Sequence, residues 1–238
     1  MISVNSFILI IFLLASSVFR AQNEEFSHSS SWNSVAVKAN LNEKLFLKNE
    51  FNFRRTNFIQ DWQQIVLRPS LQYKLNKRFT LAFGYSYIDN YIYANSSSQL
   101  AFKENNLWQQ VFLKQNFKFL SIAHRIRFEE RFKESASLTD DNLWVTNIGY
   151  SGRLRYRLII SLPILEDKLS ILTYDEVFLD FKKKWLPQKC TQNRLYLGFR
   201  FRKSNHITIK SGYNHINIIK PNSVITNHIW ETTLIYSI

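Results

Sequence analysis

Strict alternation of charged and apolar side chains over residues 121–133, SIAHRIRFEERFK, is the feature that most limits how this chain can fold. The odd positions from 125 to 133 carry charge, whereas large apolar side chains such as Ile126 and Phe128 lie on even positions. A helix would distribute these charges around its circumference. An extended strand collects them on one face, because its side chains alternate. The segment is therefore predicted to be a β-strand with one ionic face and one apolar face.

The same period of two recurs along the chain, for example in RLRYRLIISL and QNRLYLGFRFR. Many of these segments reach the nine to eleven residues that a tilted strand needs to cross a bilayer. Strands of soluble domains more often have about five or six residues. We interpret eleven segments as strands: about 32–39, 45–55, 62–75, 79–91, 106–117, 121–133, 143–162, 169–181, 191–202, 205–218 and 226–238.

The connections between these segments alternate in length. Short ones such as LNEK, NKR and KSN follow the odd-numbered segments, and longer polar ones follow even-numbered segments, as at 94–105, 135–141 and 182–191. Short turns at one rim and long loops at the other are typical of outer-membrane barrels. The pattern predicts an all-β fold, a transmembrane antiparallel up-and-down β-barrel. Bacterial barrels usually have an even number of strands, so we expect twelve, with ten as the alternative.

A soluble β-sandwich or lipocalin-like barrel would instead bury the apolar faces. The chain has 20 Phe, 11 Tyr and 6 Trp among 238 residues, and directing that much bulk inward from a dozen strands would overfill the interior. We therefore expect the apolar faces to contact lipid. An additional ascending strand would have to precede the first segment, and residues 22–31 either form that short strand or lie in the lumen.

The N-terminus is a separate segment. FILIIFLLASSVF is apolar, too short to span a membrane comfortably, and followed at once by polar sequence, which is typical of a secretory signal. We expect a signal peptide over 1–21, cleaved after Ala21 or alternatively at Ala15-x-Ser17. Residues 22–238 then form one barrel domain in the outer membrane of a Gram-negative cell. Outer-membrane lipid, lipopolysaccharide and the barrel-assembly machinery are the expected partners, and a monomer is the expected state.

The alternation also predicts a lumen with excess positive charge, which pairing alone does not neutralise. Such a lumen fits two roles, a small anion-leaning pore or a structural plug of arginine–glutamate pairs that fills a narrow barrel. The predicted lumen residues are Arg54, Arg68, Arg125, Arg127, Arg131, Arg153, Arg155, Arg157, Arg194, Arg200, Arg202 and Lys210, with the anions Glu50, Glu129, Glu176 and Glu231.

Tryptophans lie near the starts of descending segments, just after the longer loops. This predicts an aromatic girdle at the outer rim, although strict alternation points Trp62 and Trp108 inward. The predicted girdle residues are Trp32, Trp62, Trp108, Trp144 and Trp230.

An enzyme is not expected, and the alternative is a lipid hydrolase that pairs a serine with a histidine. Ser211 and His215 share a face, but four strand residues separate them by roughly 13 Å. The single Cys190 excludes internal disulfides and cysteine-based metal clusters. His215 and His228 lie on either side of a loop, so no metal or other cofactor is expected. Basic residues spread along apolar strands also do not form a nucleic-acid-binding module.

Three motifs carry a family resemblance: HRIRFEER at 124–131, RLRYRL at 153–158 and QNRLYLG at 192–198. Together they resemble a family of exported Bacteroidota proteins known as domain of unknown function 2490. The resemblance covers nearly the whole chain after the signal. It implies an outer-membrane barrel and brings no established activity, so no functional residue is transferred. The last strand ends in Ile238 instead of the Phe or Trp common in such barrels.

Overall fold

The protein is a closed barrel of eleven β-strands in a computed structural model that describes residues 24–92, 101–139, 142–165, 168–181, 189–220 and 223–238. The predicted signal sequence lies outside these residues. The described part of the chain contains no helix long and apolar enough to cross a membrane. The strands are β1 (Glu24–Asn40), β2 (Leu45–Thr56), β3 (Asp61–Lys74), β4 (Phe79–Asn90), β5 (Phe102–Asn116), β6 (Ser121–Thr139), β7 (Asn142–Leu165), β8 (Leu169–Phe181), β9 (Lys189–Arg202), β10 (Ile207–Ile219) and β11 (Ser223–Ser237).

The barrel closes through one parallel pair, β1 with β11, whereas the ten other neighbouring pairs are antiparallel. The predicted twelve strands and the alternative ten are therefore both wrong. With an odd number, the first and last strands run in the same direction, so they can meet only in parallel. The described residues of the expected extra strand, 24–31, form the first part of β1 and pair with residues 223–230.

The connections at the two rims differ less in length than the sequence suggests. One rim, here called the turn rim, carries the connections 41–44, 75–78, 117–120, 166–168 and 203–206; the other, the loop rim, carries 57–60, 91–101, 140–141, 182–188 and 220–222. Only 91–101 and 182–188 are long. The loop predicted at 135–141 is wrong, because β6 and β7 continue through it as one paired ribbon up to Thr139 and Asn142.

Asparagine side chains build two of the turns at the turn rim. Asn42 Oδ1 accepts hydrogen bonds from the backbone N–H groups of Lys44 at 2.9 Å and Leu45 at 2.8 Å. Asn76 Oδ1 does the same for residues 78 and 79, at 2.8 and 2.9 Å. Such side-chain bonds to the following backbone favour a tight reversal of the chain. They fix the hairpins β1–β2 and β3–β4.

The barrel has an apolar outer face and a polar inner face. Large apolar side chains point outward and stay accessible, with Leu197 60% exposed, Phe83 54% and Ile126 48%. Charged side chains point inward and are shielded, down to 0% exposure for Glu176. This is the inverse of a soluble barrel, in which apolar side chains fill the interior. The alternation in the sequence therefore corresponds to the two faces of the sheet.

Aromatic rings fill parts of the interior, and glycines make room for two of them. The indole of Trp108 lies against its register partner Gly84, where an added Cβ would come within 2.2 Å of the ring. Tyr196 lies over the facing pair Gly198 and Gly212, and its hydroxyl would be 2.4 Å from a Cβ at Gly198. These contacts require residues without side chains at the inner wall.

Candidate functional site

Glu176 is the centre of an ionic layer that crosses the interior at mid-height. It points inward from β8, and Arg155 Nε and Arg157 Nη2 of β7 donate to its carboxylate at 2.9 and 2.5 Å. Arg125 of β6 donates to the same group. The Glu176 side chain has 0% exposure. Arg157 Nε also donates to it, at 3.0 Å. Four charge-assisted bonds from three arginines to one fully buried carboxylate make this the most tightly held part of the interior.

The layer continues to neighbouring strands through Arg155. Its Nη1 donates to Glu129 Oε1 at 2.6 Å, so one guanidinium joins two carboxylates on different strands. Arg127 Nη1 lies 3.8 Å from the same Glu129 oxygen. The register of β6, β7 and β8 brings these side chains together, because each points inward at the same level of the barrel.

A second ionic cluster lies nearer the loop rim. Arg131 binds Glu104 with two parallel bonds of 2.6 and 2.8 Å, and Arg153 Nε donates to Asp180 at 2.6 Å. Arg131 Nη1 also lies 3.6 Å from Asp180. The sequence reasoning missed both anions. Glu104 was missed because it fell in the loop predicted at 94–105. Asp180 could have been found, because it is an even-numbered residue of β8 like Glu176 and therefore points to the same, inner side.

On the opposite wall, Glu50 of β2 accepts from Arg68 at 3.2 Å and also pairs with Lys48. The predicted balance of twelve lumen cations to four anions is therefore incomplete: Glu104 and Asp180 join the anions, and Lys48 and Lys133 join the cations. The positive excess remains.

Exposure falls from both rims towards the ionic layer. Lys133 and Asp180 on the loop side are 34% and 24% exposed, and Lys48 on the turn side is 28% exposed. Glu129 and Arg155 between them are only 5% and 8% exposed. Water therefore reaches the interior from both ends, and the side chains pack most closely at mid-height.

A cavity of about 420 Å³ lies inside the barrel and is bounded by residues of all eleven strands. Nine cationic and four anionic side chains line it, a formal difference of +5. Such a cavity attracts anions, because its low-dielectric walls concentrate the field of the charges. The cations are Arg54, Arg68, Arg125, Arg131, Lys133, Arg153, Arg155, Arg157 and Arg194, and the anions are Glu50, Glu104, Glu129 and Glu231.

Aromatic rings hold several of the guanidinium groups in place. Arg157 lies 3.8 Å from the ring centroid of Tyr174, and Arg155 lies 4.4 Å from that of Phe178. Cation–π contacts of this kind stabilise a shielded arginine without a further carboxylate. They explain how so many like charges fit into one interior.

The remaining predicted lumen residues lie on the inner face or near the turn rim. Arg200 Nη2 donates to Ser170 Oγ at 3.1 Å, and Glu231 accepts from Asn214 Nδ2 at 2.8 Å. Arg202 is exposed at the end of β9, and the inward position of Lys210 is on β10 beside Arg200.

The predicted tryptophan girdle is wrong for Trp32 and Trp108, which point inward. Trp32 Nε1 donates to Gln63 Oε1 at 2.6 Å, and Trp108 Nε1 donates to Ser86 Oγ at 3.0 Å. A polar interior offers these N–H groups partners that an apolar exterior lacks.

Two other tryptophans of the predicted girdle point outward. Trp62 is 39% exposed and Trp230 is 50% exposed. Trp62 departs from strict alternation because the register shifts at Arg54/Arg55, where the extra residue Gln63 turns inward. Trp144 lies on β7, and its side chain is outside the described part of the structure.

The outer face brings together two histidines that the sequence left on either side of a loop. His215 and His228 are register partners, and the Tyr213 hydroxyl lies 3.4 and 2.5 Å from their Nδ1 atoms. Ser211, considered as a nucleophile, bonds to Thr232 Oγ1 at 3.0 Å instead. Within the described residues, no three His, Cys, Asp or Glu side chains are grouped so as to hold a metal ion.

An apolar exterior around a closed sheet with an ionic interior defines a β-barrel protein whose polarity is the inverse of a soluble barrel's. The chain belongs to the family described as "Protein of unknown function (DUF2490)", whose model matches residues 29–226. The resemblance inferred from the three sequence motifs is thereby confirmed.

Three further proteins show similarity. An uncharacterized protein of Methylorubrum extorquens strain AM1 is 22% identical over 222 residues, with 90% of each chain covered. The NanC porin structure is 12% identical with a TM-score of 0.46, covering 80% of this chain and 81% of that one. The translocator domain of the autotransporter NalP from Neisseria meningitidis is 14% identical with a TM-score of 0.42, covering 78% of this chain and 72% of that one.

Proposed function

We propose that the protein is an outer-membrane β-barrel with a closed, net-basic lumen, and that it acts without enzymatic activity. The proposed location is supported by the outer face of β3. Between the exposed Trp62 and Tyr73, its outward residues Ile65, Leu67 and Leu71 carry no charge. Eleven residues of tilted strand span about 25 Å along the barrel axis, the height of the apolar band of such barrels.

The closed lumen rests on one observation, the complete burial of Glu176 at mid-height. Its three arginine partners come from β6 and β7. Two of them also lie over aromatic rings, Arg157 over Tyr174 and Arg155 over Phe178. Trp108, the register partner of Glu129, and Tyr196, which stacks on Tyr174, also fill the interior, each at most 3% exposed. An ion that crossed the barrel would have to break buried pairs, which is costly because it leaves charges uncompensated.

A small anion-leaning pore is the second candidate, favoured by the positive charge around the cavity, which is +5 for the lining residues and +3 with the paired anions Glu176 and Asp180 included. The two functions differ in whether that charge attracts a permeating anion or retains a bound one. For an anion to permeate, the ionic layer must open; in a barrel that retains a bound anion, the layer stays closed.

Planar-bilayer recordings separate these functions. The refolded protein at 1 M KCl is expected to give no steady step conductance, while an open porin in the same bilayers gives regular steps. Stable ohmic steps whose reversal potential shows anion selectivity would establish the pore and overturn the closed barrel.

Lipid is the proposed partner of the outer face, and lipopolysaccharide phosphates are the proposed partner of the basic sequence KKK at 182–184. The lipid-hydrolase alternative is favoured only by the outward cluster of Tyr213, His215 and His228. A non-enzymatic barrel predicts no acyl release from phospholipid or lipopolysaccharide. Acyl release that His228→Ala abolishes and His124→Ala preserves would overturn this part of the proposal, since His124 is another outward histidine with a tyrosine partner at 2.9 Å.

A further inference from the structure

We infer that the cavity inside the barrel binds a small organic anion, a carboxylate or phosphate attached to an apolar group. Arg54 and Arg194 bind its oxyanion, and Trp32 contacts its apolar part. The inference rests on the net-basic lumen of the proposed function; a closed barrel would retain the bound anion, whereas an open pore would release it to either side.

The charge pairing inside the cavity singles out these two arginines. The other arginines that line it each have a carboxylate within 4.0 Å, supplied by Glu50, Glu104, Glu176 or Asp180. Across the described residues, no carboxylate lies within that distance of Arg54 or Arg194. The carboxylates that act on them, Glu231 on Arg54 and Glu176 on Arg194, lie beyond that distance. A shielded cation without a carboxylate in direct contact is the natural ligand for an anion from solution.

Unsatisfied donors lie at the same place. Arg54 Nη1 donates to Gln64 Oε1, but its Nε is buried and makes no hydrogen bond to any described residue. Asn52, two residues earlier on the same inward face of β2, has a buried Nδ2 that is also unsatisfied. Both residues line the cavity. An oxyanion can accept hydrogen bonds from both donors at once.

Trp32 connects the two arginines and supplies the apolar wall. The Arg54 guanidinium lies 3.9 Å from the centroid of its ring, and the Arg194 guanidinium lies 5.3 Å from it. Ile216 and Ile229 pack behind the indole and are 1% and 0% exposed. Cations beside an aromatic and aliphatic wall fit an anion that carries an apolar group better than inorganic phosphate alone.

The size of the cavity limits the ligand. About 420 Å³ lies within the range of small-molecule sites and admits a compound of one or two rings. A saccharide polymer would not fit, so the ligand is a small solute.

Isothermal titration of the detergent-folded protein tests the inference with phenyl phosphate, benzoate, inorganic phosphate and benzyl alcohol as probes. We expect saturable binding of phenyl phosphate and benzoate. Inorganic phosphate should bind at least fivefold more weakly than phenyl phosphate, and benzyl alcohol should show no saturation. Arg54→Gln and Arg194→Gln should each weaken phenyl phosphate binding at least tenfold, and Arg54→Lys should weaken it less than Arg54→Gln because it keeps the charge.

Arg55→Gln is the matched control. Arg55 is the next residue of β2, but it points outward and lies 4.2 Å from the ring of Trp62. Its loss should change phenyl phosphate affinity by less than twofold. Heat-dependent migration on gels checks that each variant is folded before titration.

Absence of saturable phenyl phosphate binding to the folded protein would overturn the inference. So would equal affinity in folded Arg54→Gln, Arg194→Gln and Arg55→Gln. The bilayer recordings test the closed barrel independently of the titration, which tests the anion site. Step conductance together with arginine-dependent binding would overturn the closed barrel and support the anion site, whereas a silent barrel that binds no probe would overturn the anion site alone.

Discussion

Arg155 and Glu176 form the central ion pair of the barrel, with Arg155 Nε 2.9 Å from a carboxylate oxygen that is completely buried. The same guanidinium reaches Glu129 at 2.6 Å. The interior is therefore held together by a connected layer of pairs, and removing one carboxylate leaves several cations without a counter-charge.

Glu176→Gln should destabilise the barrel by about 3–5 kcal/mol, because Arg125, Arg155 and Arg157 lose their shared anion while remaining buried. Urea unfolding of the protein folded in lipid vesicles, followed by tryptophan fluorescence, measures this. Asp175→Asn is the control, since Asp175 is the preceding residue, points outward and accepts a hydrogen bond from the Asn193 amide at 2.6 Å. It should cost less than about 1 kcal/mol. Equal stabilities of the two variants would show that the layer is not what stabilises the interior.

Gly212→Ala should destabilise the barrel by about 1–3 kcal/mol, because a Cβ there would lie 2.4 Å from Gly198 Cα and 2.5 Å from the carbonyl oxygen of Leu197. Gly149→Ala is the matched control, because the nearest atom to its Cβ, the carbonyl oxygen of Lys133, is 3.9 Å away. It should change the unfolding free energy by no more than about 0.5 kcal/mol. The same urea titration compares them. A neutral Gly212→Ala would mean that β9 and β10 do not approach as closely as the structure has them.

The parallel seam predicts a particular pattern of cross-links in a Cys190→Ser background. Paired cysteines at 29 with 228 and at 37 with 236 should both form disulfides, because both pairs are register partners of β1 and β11. An antiparallel pairing of these strands would join at most one of the two. Cysteines at 29 with 236 should stay reduced, since their Cα atoms are too far apart. Non-reducing gels after mild oxidation give the result, and a twelfth strand between β1 and β11 would abolish both disulfides.

The alternating faces could be predicted from sequence because strand geometry fixes the side-chain period. Arg153, Arg155 and Arg157 point inward as RLRYRL indicates. The pairing partners could not be predicted in the same way. Which carboxylate meets Arg155 depends on the register of β6, β7 and β8, which comes from the closure of the whole barrel.

The departures from prediction have local causes. One inserted residue, Gln63, reverses the direction of Trp62, and nothing in the sequence marks such a bulge. Trp32 points inward on the same face of β1 as Ser34 and Ala36, and its indole donates to Gln63, a partner 31 residues away. The strand number was wrong because the usual even number of strands was applied to eleven alternating segments. The polar stretch 24–31 is the first part of β1, not an additional strand, and it pairs with β11.

Quenching by brominated lipids tests most directly whether the apolar outer face contacts acyl chains. In the Cys190→Ser background, a fluorophore would be attached to single cysteines at the outward positions Leu71, Leu81 and Leu197, and at Lys77 in a turn. A membrane barrel predicts strong quenching at the three strand positions and little at Lys77. No quenching at Leu71, Leu81 or Leu197, from a protein that stays monomeric and dissolved without detergent, would contradict it.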